Sequence, residues 1–398
     1  MDKTMMRRHA LGAVLTLGAL LVPLAAMAQA KESIKVGLVT SLSGPFAEAG
    51  AYVQRGIQFA VDEANAKGGI DGRKVELKVG DDESNPDAGR RAGEKLARDG
   101  YNLLTGPIAS SVSLAMVQNL DRWDALMVDV SPKSDKLTGD SCKARYFRSN
   151  HSDAMDLAMV SEWTKTLKEN KFAIAASDYA WGRDSGESFE RSVKAQGKSV
   201  VLALYTPLGA KDYAPYLAQL KAANVDAIWV AEGGRDAIAF VKQATEFGLI
   251  PGTKLIGQVL ITDYTVNATG QDLLGVAGTL GYVADIDNPV NQAFVAAWKA
   301  KYKDVPVDYY AQAYNGMQVL FQGVKAAGSV KPADIQKALS GATLDTIYGS
   351  VKMRPEDHQL LLPNFVARMT MVDGKLRPVT ERRFPASLVP PPSPLCKL

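Results

Sequence analysis

From Ile34 onward the sequence alternates short apolar runs with amphipathic stretches, and this rhythm constrains the fold more than any other feature. Buried strands separated by helical crossovers produce such a pattern, so the chain reads as an α/β protein built on parallel sheet. Residues 34–40 predict a buried strand. Residues 51–66 predict a helix with Val53, Ile57, Ala60, Val61 and Ala64 on one face and Gly68-Gly69 ending it. Strands follow at 75–79, 103–105 and 125–130, with helices at 86–98 and 110–120 between them.

A second wound unit begins beyond residues 145–150. Helices near 153–167, 184–195, 213–222 and 236–247 alternate with strands near 172–176, 200–204, 227–230 and 254–259. A further strand at 280–283 precedes a switch at 285–288 and helices near 292–301, 311–327 and 333–339. The end differs: 364–372, Asp373-Gly374 and 376–379 read as a hairpin with an Asp-Gly turn. No repeat of 20–50 residues is visible, which excludes solenoids and propellers. A chain of 398 residues accommodates two such lobes.

Composition enters through what it excludes. With 46% hydrophobic and 22% charged residues the chain is an ordinary folded protein, and its formal charge is only +3. That balance argues against a nucleic-acid or polybasic membrane function. Residues 1–28 combine a positive start (Lys3, Arg7, Arg8), an apolar stretch broken by Pro23, and the small-x-small end Ala26-Met27-Ala28. They read as a signal peptide cleaved after Ala28, with general secretory and twin-arginine export both open. The stretch suits cleavage better than an uncleaved membrane anchor.

Cys142 and Cys396 are the only cysteines. Export would let a disulfide between them persist. Yet Cys396 lies among Pro390, Pro391, Pro392 and Pro394, a stretch with little means of being ordered, so an unpaired Cys396 is the plainer expectation and the bridge stays open.

A search for chemistry finds none. Gly182-Arg183-Asp184-Ser185-Gly186 superficially looks like a protease loop, but it falls at a helix start, where Asp and Ser are ordinary caps. No G-x-S-x-G, H-E-x-x-H or C-x-x-C occurs, and residues 248–254 lack the phosphate-loop ending. Asp81-Asp82-Glu83 reads as a solvated turn rather than as a cation site.

Ser43-Gly44-Pro45, Asn65-Ala66-Lys67-Gly68-Gly69-Ile70, Asp81-Asp82, Gly106 with Ser110-Ser111, Ser131-Pro132 and Leu137-Thr138 follow one another in order between residues 43 and 138. As an ordered set they resemble the leucine/isoleucine/valine-binding branch of the periplasmic solute-binding proteins. The resemblance implies a type I periplasmic-binding-protein fold, two Rossmann-like lobes joined by three hinge crossings. Residues 29–148 and 285–348 would form the first lobe, 149–284 and 349–385 the second, and 386–398 a proline-rich flexible tail. It also implies a monomeric periplasmic receptor that delivers a small solute to an ABC permease and its ATPase, with no enzyme activity, cofactor or metal.

Site residues follow from the same resemblance. Ser110 matches the family's carboxylate-binding serine, with Ser111 beside it; a plain N-cap is the rival reading. After Ser131-Pro132 the family has small or hydroxylated residues, which Ser134 fits and Lys133 and Asp135 do not. Lys133 reads as a further anchor for an anion or, more plainly, as a solvated loop lysine. Trp181 resembles the aromatic that closes over the ligand, its rival being a residue packed on its own lobe, and Tyr179 is a packing neighbour. Tyr309 and Tyr314 lie near another cleft aromatic, though a helical tyrosine serves a core equally well.

Two departures bear on the solute. Amino-acid binders of the family place an acid where this chain has Gln258-Val259-Leu260, and Ala49 stands where many carry an aromatic. A desolvated ammonium without a partner costs several kcal/mol. Either Asp135, Glu232 or Asp263 substitutes, or the solute is an aromatic or aliphatic acid, an amide or a urea without an ammonium. An exported sensor subunit presenting its ligand to a membrane receptor is the rival from another class.

Overall fold

The computed structural model describes residues 31–398; the expected signal peptide lies outside them. The first lobe opens with β1 (Ile34–Thr40), α1 (Ala47–Ala66), β2 (Val75–Asp81), α2 (Pro86–Arg98), β3 (Leu103–Thr105), α3 (Ser110–Val117), β4 (Leu126–Asp129) and β5 (Tyr146–Arg148). Their strands lie in the order β2-β1-β3-β4-β5, all parallel. Parallel sheet needs cover on both faces, and β1 accordingly buries Ile34, Val36, Leu38 and Val39. Local chemistry fixes the helix starts. The Asn85 side chain accepts from the N–H groups of Asp87 and Ala88, and Pro86 takes the first turn of α2.

The second lobe winds through α4 (Asp153–Thr164), β6 (Lys171–Ser177), α5 (Ala180–Lys194), β7 (Ser199–Thr206), α6 (Ala214–Ala222), β8 (Ala227–Ala231), α7 (Gly234–Glu246), β9 (Lys254–Gln258), α8 (Asp263–Thr269) and β10 (Ala277–Leu280). The chain then returns to the first lobe with α9 (Pro289–Tyr302), α10 (Asp308–Ala327), α11 (Pro332–Leu339) and the hairpin β11 (Thr343–Thr346) with β12 (Gly349–Lys352). A last hairpin, β13 (Asn364–Val372) and β14 (Lys375–Phe384), completes the second sheet in the order β14-β13-β10-β9-β8-β6-β7. Its turn is Asp373-Gly374 with φ of 49° and 73°, the left-handed pair a two-residue hairpin demands. The connections after β5, β10 and β12 are the three crossings between lobes.

Several details depart from the sequence reading. β5 lies within residues 145–150, the expected division between the two units, and α5 and α10 begin at Ala180 and Asp308 rather than at 184 and 311. The hairpin β11–β12 was not foreseen, because strands this short carry no apolar run. Beyond it, Arg148 donates its N–H to the His358 carbonyl and Leu360 donates to the Arg148 carbonyl, both at 2.9 Å. Residues 349–360 therefore run against the first lobe, whereas the expected boundary gave them to the second.

The tail is the largest correction. Cys396 is bonded to Cys142, with Cα atoms 5.5 Å apart, and Arg354 Nη1 donates to the Pro390 carbonyl at 2.6 Å. Prolines restrict the unfolded chain, so a proline-rich segment costs little entropy to fix once it has anchors. Because β14 belongs to the second lobe and Cys142 precedes β5 of the first, the tail forms a fourth link between the lobes.

Candidate functional site

Ligands of open α/β sheets sit beyond the carboxyl ends of the strands. Here Phe46 follows β1, Ile108 and Ser110 follow β3, and Ser131 and Lys133 follow β4. From the second lobe, Tyr179 and Trp181 follow β6, Gly233 follows β8 and Val259 follows β9. With Tyr309 from the start of α10, these residues line one pocket between the lobes. It encloses about 300 Å³ of unfilled space including its mouth. Direct contacts join the lobes beside it. Arg235 donates its backbone N–H to the Pro45 carbonyl at 2.9 Å and its side chain pairs with Glu48 at 2.9 Å. Phe46 and Tyr179 meet across the gap with centroids 5.8 Å apart.

Two backbone features shape this pocket. A Cβ on Gly182 would stand 2.0 Å from the Ser177 carbonyl oxygen, so only glycine lets α5 start close enough to set Trp181 at the cleft. Val259 has φ of 54°, an outlier for a β-branched residue and a conformation costing about 1–3 kcal/mol. Such strain is characteristic of binding sites.

Ser110 does not cap its own helix. Ala109 takes that position, and Ser110 Oγ instead accepts the N–H groups of Lys133 at 3.2 Å and Ser134 at 3.1 Å, which leaves its proton for another acceptor. Lys133 is no solvated loop lysine: it is 7% exposed, and its Nζ lies 2.8 Å from Asp156 Oδ2. Asp156 also receives Gln258 Nε2 at 2.6 Å on that oxygen and Asn364 Nδ2 on the other. Trp181 serves both readings. It lines the pocket, while its indole N–H is shared between Asp153 Oδ1 at 3.1 Å and Gln258 Oε1 at 3.2 Å of its own lobe.

The remaining expected residues point elsewhere. Ser134 Oγ donates to Asp184 across the lobes, and Asp135 Oδ1 accepts the Ala154 N–H at the start of α4 at 2.8 Å. Ser111 does not line the pocket. Tyr314 belongs to the first lobe's core, stacked on Phe294 with centroids 4.2 Å apart and donating to Glu63 at 2.8 Å. Phe46, Ile108, Ser131, Gly233 and Val259 reach the pocket without having been singled out, although Ser131 and Val259 stand in stretches that drew attention. The three candidate ammonium partners do not line it either. Glu232 is held by the hydroxyls of Ser177 and Thr206, and Asp263 begins α8.

Electrostatics follow burial. Desolvation pushes Asp129 up to about 7, Glu232 to about 8 and Asp308 to about 6, and it lowers His151 to about 4. Asp156 moves the other way: burial raises it, but the Lys133 charge and the hydrogen bonds outweigh burial and hold it below the usual carboxylate range. Acids raised by folding contribute stability that is full below their unfolded value and is lost as pH climbs through the folded one. His151, lowered by folding, works oppositely between about 4 and its ordinary value. The raised acids outnumber it, so the unfolding temperature is expected to fall between pH 5 and pH 8. Differential scanning calorimetry across that range tests this, and a rise would contradict it. Among the described residues no cluster of three or more acidic, histidine or cysteine side chains is arranged to hold a metal, and no helix is long and apolar enough to cross a membrane.

Comparison with known proteins places this geometry in context. Residues 33–375 match the model of a family described as periplasmic binding protein. The chain is 30% identical to the Leu/Ile/Val-binding protein BraC3 of Rhizobium johnstonii, over 84% of this chain and 92% of the relative. It is similar to an ABC-transporter solute-binding protein of Rhodopseudomonas palustris BisB5 in complex with 3,4-dihydroxybenzoic acid (TM-score 0.81, 25% identity, covering 89% of this chain and 98% of that one). A second R. palustris solute-binding protein, in complex with benzoate, aligns with a TM-score of 0.79 and 25% identity, over 87% of this chain and 96% of that one.

Proposed function

Because the chain belongs to the periplasmic binding protein family, we propose that it is the substrate-binding component of an ABC importer, carrying a small, largely apolar, carboxylate-bearing solute. The lining of the cleft carries this reading. Phe46, Ile108, Tyr179, Trp181, Val259 and Tyr309 supply rings and branched chains, while Ser110 and Lys133 line the same space as its hydroxyl-bearing and cationic residues. Such a pocket suits an apolar body with one anionic end. The partners of Ser110 are backbone N–H groups rather than a base, which supports a binding role for this hydroxyl. The leader at 1–28 fits export to the periplasm, where hinge closure would trap the solute for a permease. The relatives named for Leu, Ile and Val and the neighbours holding benzoate-type acids support the same chemical class.

A thermal-shift panel of 4-hydroxybenzoate, benzoate, leucine and 4-methylpentanoate tests the reading. A ligand present at a hundred times its Kd stabilises by about 2.7 kcal/mol and moves the unfolding temperature visibly. If none of the four moves it, the reading fails. Ser110→Ala is expected to weaken binding of the best ligand about tenfold, roughly 1.4 kcal/mol, by calorimetry. The fold should survive, since two N–H groups without an acceptor cost about 1–3 kcal/mol each at most. Unchanged affinity would remove Ser110 from the site.

A further inference from the structure

Resting on that reading of the cleft, we propose that Lys133, oriented by Asp156, is the residue by which this receptor selects anions lacking an ammonium over zwitterionic amino acids. Lys133 lines the pocket and is buried. Its ammonium carries three donors, and among the described residues one side chain, Asp156, receives one of them. The other two have no hydrogen-bond partner among the described residues, and they would serve a ligand carboxylate without breaking the pair.

Asp156 meets the solute only through its pair with Lys133. It does not line the pocket; Gln258 shares the oxygen that faces Lys133, and Asn364 holds the other. It acts as a positioning residue, fixing where the ammonium points. Gln258 extends the arrangement by accepting from Trp181, so the cation, its anchor and the covering indole are one connected unit.

An ammonium entering the same space meets the reverse situation. No carboxylate lines the pocket, and the one charged lining group has like sign. Glu232 and Asp135 are occupied by hydroxyl and backbone donors inside the protein. A zwitterion would gain at its carboxylate and lose at its amine, whereas a simple carboxylic acid anion only gains.

Calorimetry with two matched pairs separates these cases: 4-hydroxybenzoate against 4-hydroxybenzamide, and 4-methylpentanoate against leucine. The native protein is expected to bind each acid about 100-fold more tightly than its partner. Lys133→Arg should keep that preference. Lys133→Gln, which can still donate to Asp156, and the charge-free pair K133M/D156N should each bring acid and amide to within about threefold. Circular dichroism checks that each variant is folded, and Lys133→Gln carries the test if the double variant is not. Leucine binding more tightly than 4-methylpentanoate, or an acid-over-amide ratio unchanged in Lys133→Gln, overturns the proposal while the carboxylate reading stands. Absence of binding by all four compounds overturns both.

Discussion

Serine at both Cys142 and Cys396 is expected to lower the free energy of unfolding by about 2–5 kcal/mol and the unfolding temperature by roughly 5 °C. The bonded cysteines are separated by 254 residues, so the bridge closes a loop spanning most of the described chain and removes much freedom from the unfolded ensemble. The folded side contributes as well. Cys396 is 9% exposed, the 3₁₀ turn Ala386–Leu388 leads into the tail, and Arg354, salt-bridged to Asp357 at 2.6 Å, holds the Pro390 carbonyl. Without the bond the tail should fray from the first lobe. Because the bond joins the lobes beside the hinge, small-angle scattering should also show a larger radius of gyration. Reductant should lower the native protein's midpoint and leave the double-serine variant's unchanged. Equal midpoints for the two proteins under oxidising conditions would show that the bridge contributes nothing.

The bridge also marks where sequence reasoning ends. Strands and helices were legible because each writes its own period locally: the face Val53, Ile57, Ala60, Val61, Ala64 of α1 is buried as read, and Asp373-Gly374 turns the last hairpin. A disulfide between residues 142 and 396 has no local signature, and the prolines around Cys396 argued against order, whereas the irregular tail is held by the Arg354–Pro390 hydrogen bond and by the bridge. The site shows the same limit at finer scale. The loop after β4 reaches the pocket, but its three consecutive polar residues face three ways: Lys133 lines the cleft and pairs with Asp156, Ser134 turns to Asp184, and Asp135 turns to α4. Residue types near a strand end can be read from a sequence, whereas side-chain directions in an irregular loop are set by what packs against it. Phe46, Ile108 and Val259 escaped notice for a related reason. Apolar residues at strand ends look like core until two lobes are brought together over them.

Asp156→Ala is expected to be the most damaging single change near the site, costing about 3–5 kcal/mol, because it strands a buried cation. Asp156 is fully enclosed and is met by Lys133, Gln258 and Asn364 from three separate stretches of chain. Alanine would leave the Lys133 ammonium without its carboxylate and two side-chain amides without an acceptor, each a further desolvation cost. Lys133→Met should cost less, since the carboxylate keeps both amide donors. The pair K133M/D156N should cost less than the sum of its parts, because no charge is left unmatched. Urea unfolding of the four proteins gives the coupling directly. The pH dependence supplies an independent check: a carboxylate held below its ordinary range contributes stability that is present above the unfolded value and is lost as pH falls through the folded one. The native protein should therefore lose this contribution only in acid, and the double variant should lack that loss. A Lys133→Met variant less stable than Asp156→Ala would mean that the lysine stem's packing, rather than the charge it brings to Asp156, holds this corner of the cleft together.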